Sequence, residues 1–166
     1  MKKVLAIISL IVLVAFMIAG CGGVKSEAKS LYKDYFISAS KITEEFQEEV
    51  GELADKYENK KITRKKLVKK LTKLADNAIE DLEELKSKLD KEDVAAENKR
   101  LKIYAITYIY ENERFISVAE DAIVNHRGTK STLAIRNRKA IMRNAGNDFI
   151  REYNYTTKEN IMYFLN

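Results

Sequence analysis

The chain has one histidine, His126, and one cysteine, Cys21, so nearly all chemistry that needs an imidazole would have to pass through a single residue. Three residues before His126 stands Ile123, where the Glu-x-x-His ligand pattern of di-iron bundles would need an acid. A lone imidazole without clustered Cys or His partners does not make a zinc site. A Ser-His-Asp arrangement would need the same His126, and no Gly-x-Ser-x-Gly elbow accompanies it. The glycine-rich loops that cradle phosphates or dinucleotides are also missing. Paired carboxylates such as Glu44 and Glu48 are plentiful, but in a segment this rich in Glu they read as a solvated helix face. The expectation is therefore a non-enzymatic protein with no catalytic residue, no metal and His126 as a polar residue at a helix end.

Cys21 has a more informative setting. Met1-Lys2-Lys3 opens the chain, a run of 16 residues from Val4 to Ala19 that is apolar except for Ser9 follows, and Ile18-Ala19-Gly20 leads into the cysteine. Two lysines hold such a segment on the cytoplasmic side while the apolar run enters the export machinery. The run is short of the roughly 20 residues of a comfortable spanning helix. Residues 1–23 resemble a bacterial prolipoprotein signal with its lipobox. The resemblance implies cleavage before Cys21, loss of residues 1–20, and a diacylglycerol thioether on Cys21 that ties the protein to the membrane. An ordinary secretory signal with a free thiol is the competing reading. Gly22 follows the cysteine, in place of the Asp linked with inner-membrane retention in Gram-negative lipoproteins. The favoured location is thus the extracytoplasmic face of a Gram-positive cell membrane. With Cys21 the sole cysteine, no internal disulfide can form, and the fold must rest on packing.

Cleavage would leave 146 of the 166 residues, enough for one domain with a full core. There is no proline, and of six glycines Gly20, Gly22 and Gly23 lie at the cleavage site. A sandwich or barrel with many tight turns would want more turn residues than remain. The net charge of +5 becomes +3 when Lys2 and Lys3 leave, too modest to predict nucleic-acid binding alone.

Hydrophobic spacing supplies the elements. Residues 21–25 read as the lipidated cysteine and a short tether, with Ser26 capping a first helix. Its stripe is Ala28, Leu31, Tyr35, Ala39, Ile42, Phe46, Val50, Leu53 and Tyr57, with a possible bend at Gly51. A turn at Asn59–Lys61 and a cap at Thr63 precede a second stripe of Leu67, Leu71, Leu74, Ala78, Leu82, Leu85 and Leu89. After a connection at Asp90–Asp93, Leu101, Ala105, Tyr108, Phe115, Ala119 and Ala122 form a third. Ile103, Ile106, Ile109, Ile116 and Ile123 widen its face. The β-branched and aromatic run Ile103–Tyr110 admits a strand, but the helical spacing continues through it to Ile123. Gly128 reads as a C′ residue, and Thr129 or Ser131 as the cap of a fourth helix. That helix would bury Leu133, Ala134, Ile141, Ala145, Phe149 and Tyr153, and Ile161–Leu165 reads as an apolar tail docked on the rest. Residues 26–166 are thus expected to form an all-α, up-down-up-down four-helix bundle, because short loops join antiparallel neighbours.

Charge is distributed unevenly along these helices. Nine bases face Glu58 alone between Lys56 and Lys73, and six bases face no acid between His126 and Arg143. Nine acids face three lysines between Asp76 and Glu97. In the expected bundle both basic clusters share the membrane-distal end. Lysines crowded at a helix N-terminus oppose its macrodipole. One reading neutralises them internally, with Glu44, Glu45, Glu48, Glu49, Glu52 and Asp55 pairing to the second and fourth helices. The other makes Arg64, Lys65, Lys66, Lys69, Lys70, Arg136, Lys139 and Arg143 a surface for an anionic partner: a wall polymer, DNA or an acidic protein. Tyr104 and Tyr108 are candidates for an interhelical pocket holding a small ligand or peptide, against simple core packing.

Overall fold

The computed structural model of this protein describes residues 22–125 and 129–162, and for 129–131 the backbone alone. The signal segment, Cys21, His126, Arg127, Gly128, the side chains of Thr129, Lys130 and Ser131, and residues 163–166 lie outside that description. The described residues form four long helices and no strand. Helix α1 covers residues 22–58 and includes a π-helical stretch, Leu31–Ile37, followed by regular α-helix over Ser38–Glu58. Helix α2 is Arg64–Lys91, α3 is Lys99–Val124 and α4 is Thr129–Thr157. A 3-10 turn, Ala96–Asn98, leads into α3. The run Ile103–Tyr110 is helical, so continuous spacing outweighs β-propensity there.

Helix α1 begins earlier than expected. Residues 22–25 are helical, and Ser26 lies inside the helix instead of capping it. What anchors this end is a set of bonds to the approach to α3. Asn98 is fully buried and donates to the Val24 carbonyl at 2.9 Å and to Glu27, while Glu27 accepts from the Ala95 backbone at 3.0 and 3.2 Å. Gly51 stays within regular helix, with nothing within 4 Å of where a Cβ would stand. The irregularity falls instead at Leu31–Ile37, where Leu31, Tyr35 and Phe36 are all buried. A π turn accommodates an additional residue per turn, and here it lets two adjacent aromatics face inward.

The first turn follows its sequence signals closely. Lys60 N–H donates to Tyr57 and Lys61 N–H to Lys56, the paired bonds of a Schellman ending. Lys60 carries the left-handed conformation at φ 57° that such an ending demands, a position better suited to glycine. Lys60→Gly is therefore expected to raise the unfolding free energy by about 1 kcal/mol, relieving left-handed strain. Chemical denaturation checks this; a destabilised variant would contradict it. Thr63 then caps α2, its hydroxyl accepting from Lys66 N–H at 3.3 Å.

Pairing order follows from bonds between helices. Along α2 and α3, Arg64 meets Ile123 and Val124, Thr72 meets Glu120, and Lys86 meets Glu113, in opposite order. Along α3 and α4, Glu111 meets Arg138 and Arg100 meets Glu152, again in opposite order. The core runs through all four helices and is centred on a stack of aromatic rings. Phe36 lies 4.4 Å from Tyr108 and 4.5 Å from Phe149 between ring centroids, and Tyr32 lies 4.8 Å from Tyr153.

Helix α4 corrects part of the expected face. Leu133, Ala134 and Ile141 are exposed, and Met142, Ala145, Phe149, Ile150 and Tyr153 are inside. The buried set steps by three and four from Met142, whereas Ile141 sits about 100° around the helix from it. On α3, Ile109 and Ile116 are buried, but Ile103 is 61% exposed. At the C-terminal end Asn154 grips the Ile161 backbone through two 2.9 Å bonds, and Met162 is exposed.

Three phenols, Tyr35, Tyr108 and Tyr153, are held above the usual tyrosine range by burial. Glu92 and Glu159, which accept the hydroxyls of Tyr35 and Tyr153, reinforce this. A raised folded-state value favours the protonated phenol. The associated stability is complete below the unfolded tyrosine value of about 10 and declines as pH rises past it. Helix content and tyrosinate absorbance are expected to change together above about pH 10. Ionisation of all the tyrosines in the still-folded protein would contradict this.

Candidate anion-binding end and its groove

The bonds from Arg64 decide which ends meet. Its Nη2 donates to the carbonyls of Ile123 at 3.2 Å and Val124 at 2.8 Å, where the last carbonyls of α3 lack helical partners. A guanidinium at a helix C-terminus also complements the macrodipole. This cap brings the α1–α2 turn against the end of α3, so the basic stretch from Lys56 to Lys73 shares one end of the molecule with the start of α4. The acidic stretch about Glu92 lies at the other end, beside Glu27 and Asn98.

The eight expected anion-binding residues separate into two groups. Lys65, Lys66, Lys69 and Lys70 are exposed, as is Arg136, and none forms an ion pair among the described residues. Lys60, Lys61 and Lys73 share that condition. Arg64 instead turns inward to cap α3. Lys139 is half-buried and donates to Gln47 at 3.2 Å, and Arg143 lines a cleft. The expected pairing of the α1 acids with α2 and α4 is not found among the described residues. Glu45 pairs with Lys41 and Glu52 with Lys56, both within α1. The physical reason is reach: four residues along a helix already place opposite charges side by side. The pairs described between helices involve other residues: Arg138 with Glu111, Lys86 with Glu113 and Arg100 with Glu152.

Between the helices at the basic end lies an apolar groove of about 340 Å³, walled by Val50, Leu53, Tyr57, Leu67, Ile123 and Ile135. Arg64 and Glu58 also border it. No motif in the sequence pointed to this groove. Val50, Leu53, Tyr57, Leu67 and Ile123 all fit the core stripes, and the opening arises because the helices stop covering one another near their ends.

Tyr104 and Tyr108 stand one turn apart on α3 in different settings. Tyr108 is buried, stacks on Phe36 and shares a 3.0 Å hydrogen bond with Ser40. It borders a polar cleft of about 210 Å³ with Thr43, Gln47, Asn112, Lys139 and Arg143. Tyr104, one turn earlier, is half-buried, its hydroxyl accepting from Arg100 at 3.1 Å. Asn112 and Thr43, which the sequence reading passed over, form a buried pair. Thr43 donates to Asn112 Oδ1 at 2.6 Å, and Asn112 Nδ2 donates to the Tyr108 carbonyl at 2.7 Å. Their signal was present: Asn112 lies on the stripe between Tyr108 and Phe115, and Thr43 between Ala39 and Phe46.

Among the described residues no group of three or more His, Cys, Asp and Glu is placed to hold a metal, and no helix is long and apolar enough to cross a membrane. No family model, curated protein or solved structure matches this chain.

Proposed function

We propose that this protein is a lipid-anchored, extracytoplasmic helical module that binds an anionic partner through its membrane-distal end and performs no catalysis. The observation that carries the reading is the row of exposed, unpaired lysines at the start of α2. They oppose the helix macrodipole and receive no described ionic compensation. The opposite pairing orders of α2 with α3 and of α3 with α4 support an up-down-up-down bundle. With α1 starting beside Cys21, such a bundle would carry the basic end away from the membrane, and the apolar tail would return to the lipid side. A diacylglycerol on Cys21 would supply the two chains that stable anchoring requires.

Two experiments test this reading. Mass spectrometry of the membrane fraction is expected to find an acylated N-terminal Cys21 and no residues 1–20; a soluble chain with a free thiol would contradict it. Purified protein is expected to be retained on immobilised anionic wall polymer at low salt and released steeply as salt rises, because exposed charges are screened over about 8–10 Å near physiological ionic strength. DNA and an acidic protein column serve as comparison arms. Equal retention on a neutral polysaccharide would defeat the reading.

A second reading places a small polar ligand at Tyr108, and the polar cleft there favours it. Its walls already bond to one another through Ser40, Thr43 and Asn112, which describes a buried polar layer fixing helix register equally well.

A further inference from the structure

We infer that the groove at the basic end is a binding site for a single-chain anionic amphiphile, a hydrocarbon tail bearing one negatively charged head. The inference rests on the reading of that end as anion-seeking and specifies what the groove adds to it. Val50, Leu53, Tyr57, Leu67, Ile123 and Ile135 enclose about 340 Å³, near the lower limit of the ~300–1,000 Å³ typical of small-molecule pockets. A wall of this composition rewards an apolar tail by removing it from water. The half-buried Arg64 lies on the same wall, and its guanidinium has no carboxylate within ion-pair distance among the described residues. Its Nη2 is engaged by two helix-end carbonyls, and its Nη1 is buried without a hydrogen-bond partner among the described residues. Exposed Lys60, Lys61, Lys65 and Lys66 surround this end, and Glu58 is the one acid on the wall.

Other occupants fit less well. The lipid on Cys21 would start some 28 helical residues from Val50, or ~42 Å at about 1.5 Å per residue. It cannot fold back into the groove. A second copy docked symmetrically would set one lysine-rich rim against another, and like charges oppose such a contact. The charge of the rim and the apolar interior select for an amphiphile with a negative head.

The test uses the full-length chain in nanodiscs with a photoactivatable dodecanoate as the probe. Labelling is expected in the peptides that carry Val50–Tyr57 and Leu67, and excess unlabelled dodecanoate should remove it. Dodecanol, with the same tail and no charge, should compete at least about tenfold less well, the equivalent of ~1.4 kcal/mol. Ala54→Phe, which fills the groove from its own wall, should reduce labelling about tenfold with helix content unchanged. Thr132→Phe repeats the test from the exposed rim should Ala54→Phe fail to fold. Labelling no greater in the groove than elsewhere on the protein, or equal competition by dodecanol, would overturn the inference. Retention on wall polymer is measured on the same samples. Groove labelling without polymer retention would defeat the proposed function and leave this site standing, whereas retention without labelling would remove the site alone.

Discussion

Phe36→Ala is expected to lower the unfolding free energy by about 3–5 kcal/mol, a large share of the stability of a domain this size. Phe36 is 2% exposed and stands at the junction of α1, α3 and α4, stacked against Tyr108 and Phe149. Removing the ring loses its transfer free energy and leaves a cavity, because three helices cannot all close on one gap. The stacked pairs add roughly 0.5–1.5 kcal/mol beyond burial. Phe36→Leu, which keeps most of the volume, should cost much less, and Ile103→Ala, at 61% exposure, should stay within about 0.5 kcal/mol. Denaturant titration followed by circular dichroism separates these outcomes, provided the slope stays constant. A loss below about 1 kcal/mol for Phe36→Ala would mean that the π-helical turn does not place this ring in the core.

Phe36 also illustrates where sequence periodicity stops. A strict step of three and four through Leu31, Tyr35 and Ala39 leaves Phe36 on the flank. The π turn at Leu31–Ile37 adds a residue and brings it inside. The stripe on α2 was legible in the main, because Leu67, Leu71, Ala78, Leu82 and Leu89 are buried as their spacing implies, although Leu74 and Leu85 are only half-buried and Ala75 lies inside. The stripe on α4 was ambiguous because Ile141 and Met142 are adjacent. Which one faces inward depends on Phe36 and Tyr32 from a helix distant in sequence. Thr63 and the Asn59–Lys61 turn were readable since capping is a local matter. At the basic end the charge imbalance was readable, but the division of labour was not. Arg64 and Lys65 are neighbours of like charge, yet one caps α3 and the other meets solvent. That difference depends on where α3 ends. The groove was equally illegible, since an apolar residue that fills a core and one that lines a cleft look the same in a pattern.

Replacing Lys65, Lys66, Lys69 and Lys70 together by Gln is expected to reduce affinity for a dense polyanion by on the order of 10²–10³-fold at low salt. The figure takes each lysine near an anionic surface as contributing roughly 0.7–1 kcal/mol. None of the four side chains forms an ion pair or hydrogen bond among the described residues, and the apolar stripe of Leu67 and Leu71 runs between them untouched. The melting temperature should therefore hold or rise slightly, since Lys65 and Lys66 stand in the first turn of α2 and their charges oppose its macrodipole. A variant that unfolds, from a parent that never bound polyanions, would make the cluster structural. Arg64→Ala supplies the contrast: it should lower stability by uncapping α3, whatever it does to binding.

The central claim is that the basic end meets an anionic partner outside the cell, and photo-crosslinking in living cells tests it most directly. A photoreactive residue is placed at position 66 at the basic end, and a control at position 97 by the opposite end, with each captured species identified. Position 66 is expected to capture a species carrying an excess of negative charge, reproducibly, and the capture should disappear when Lys65, Lys69 and Lys70 are Gln. Capture from position 66 no different from that at position 97, in protein that is folded and held at the membrane, would contradict the account.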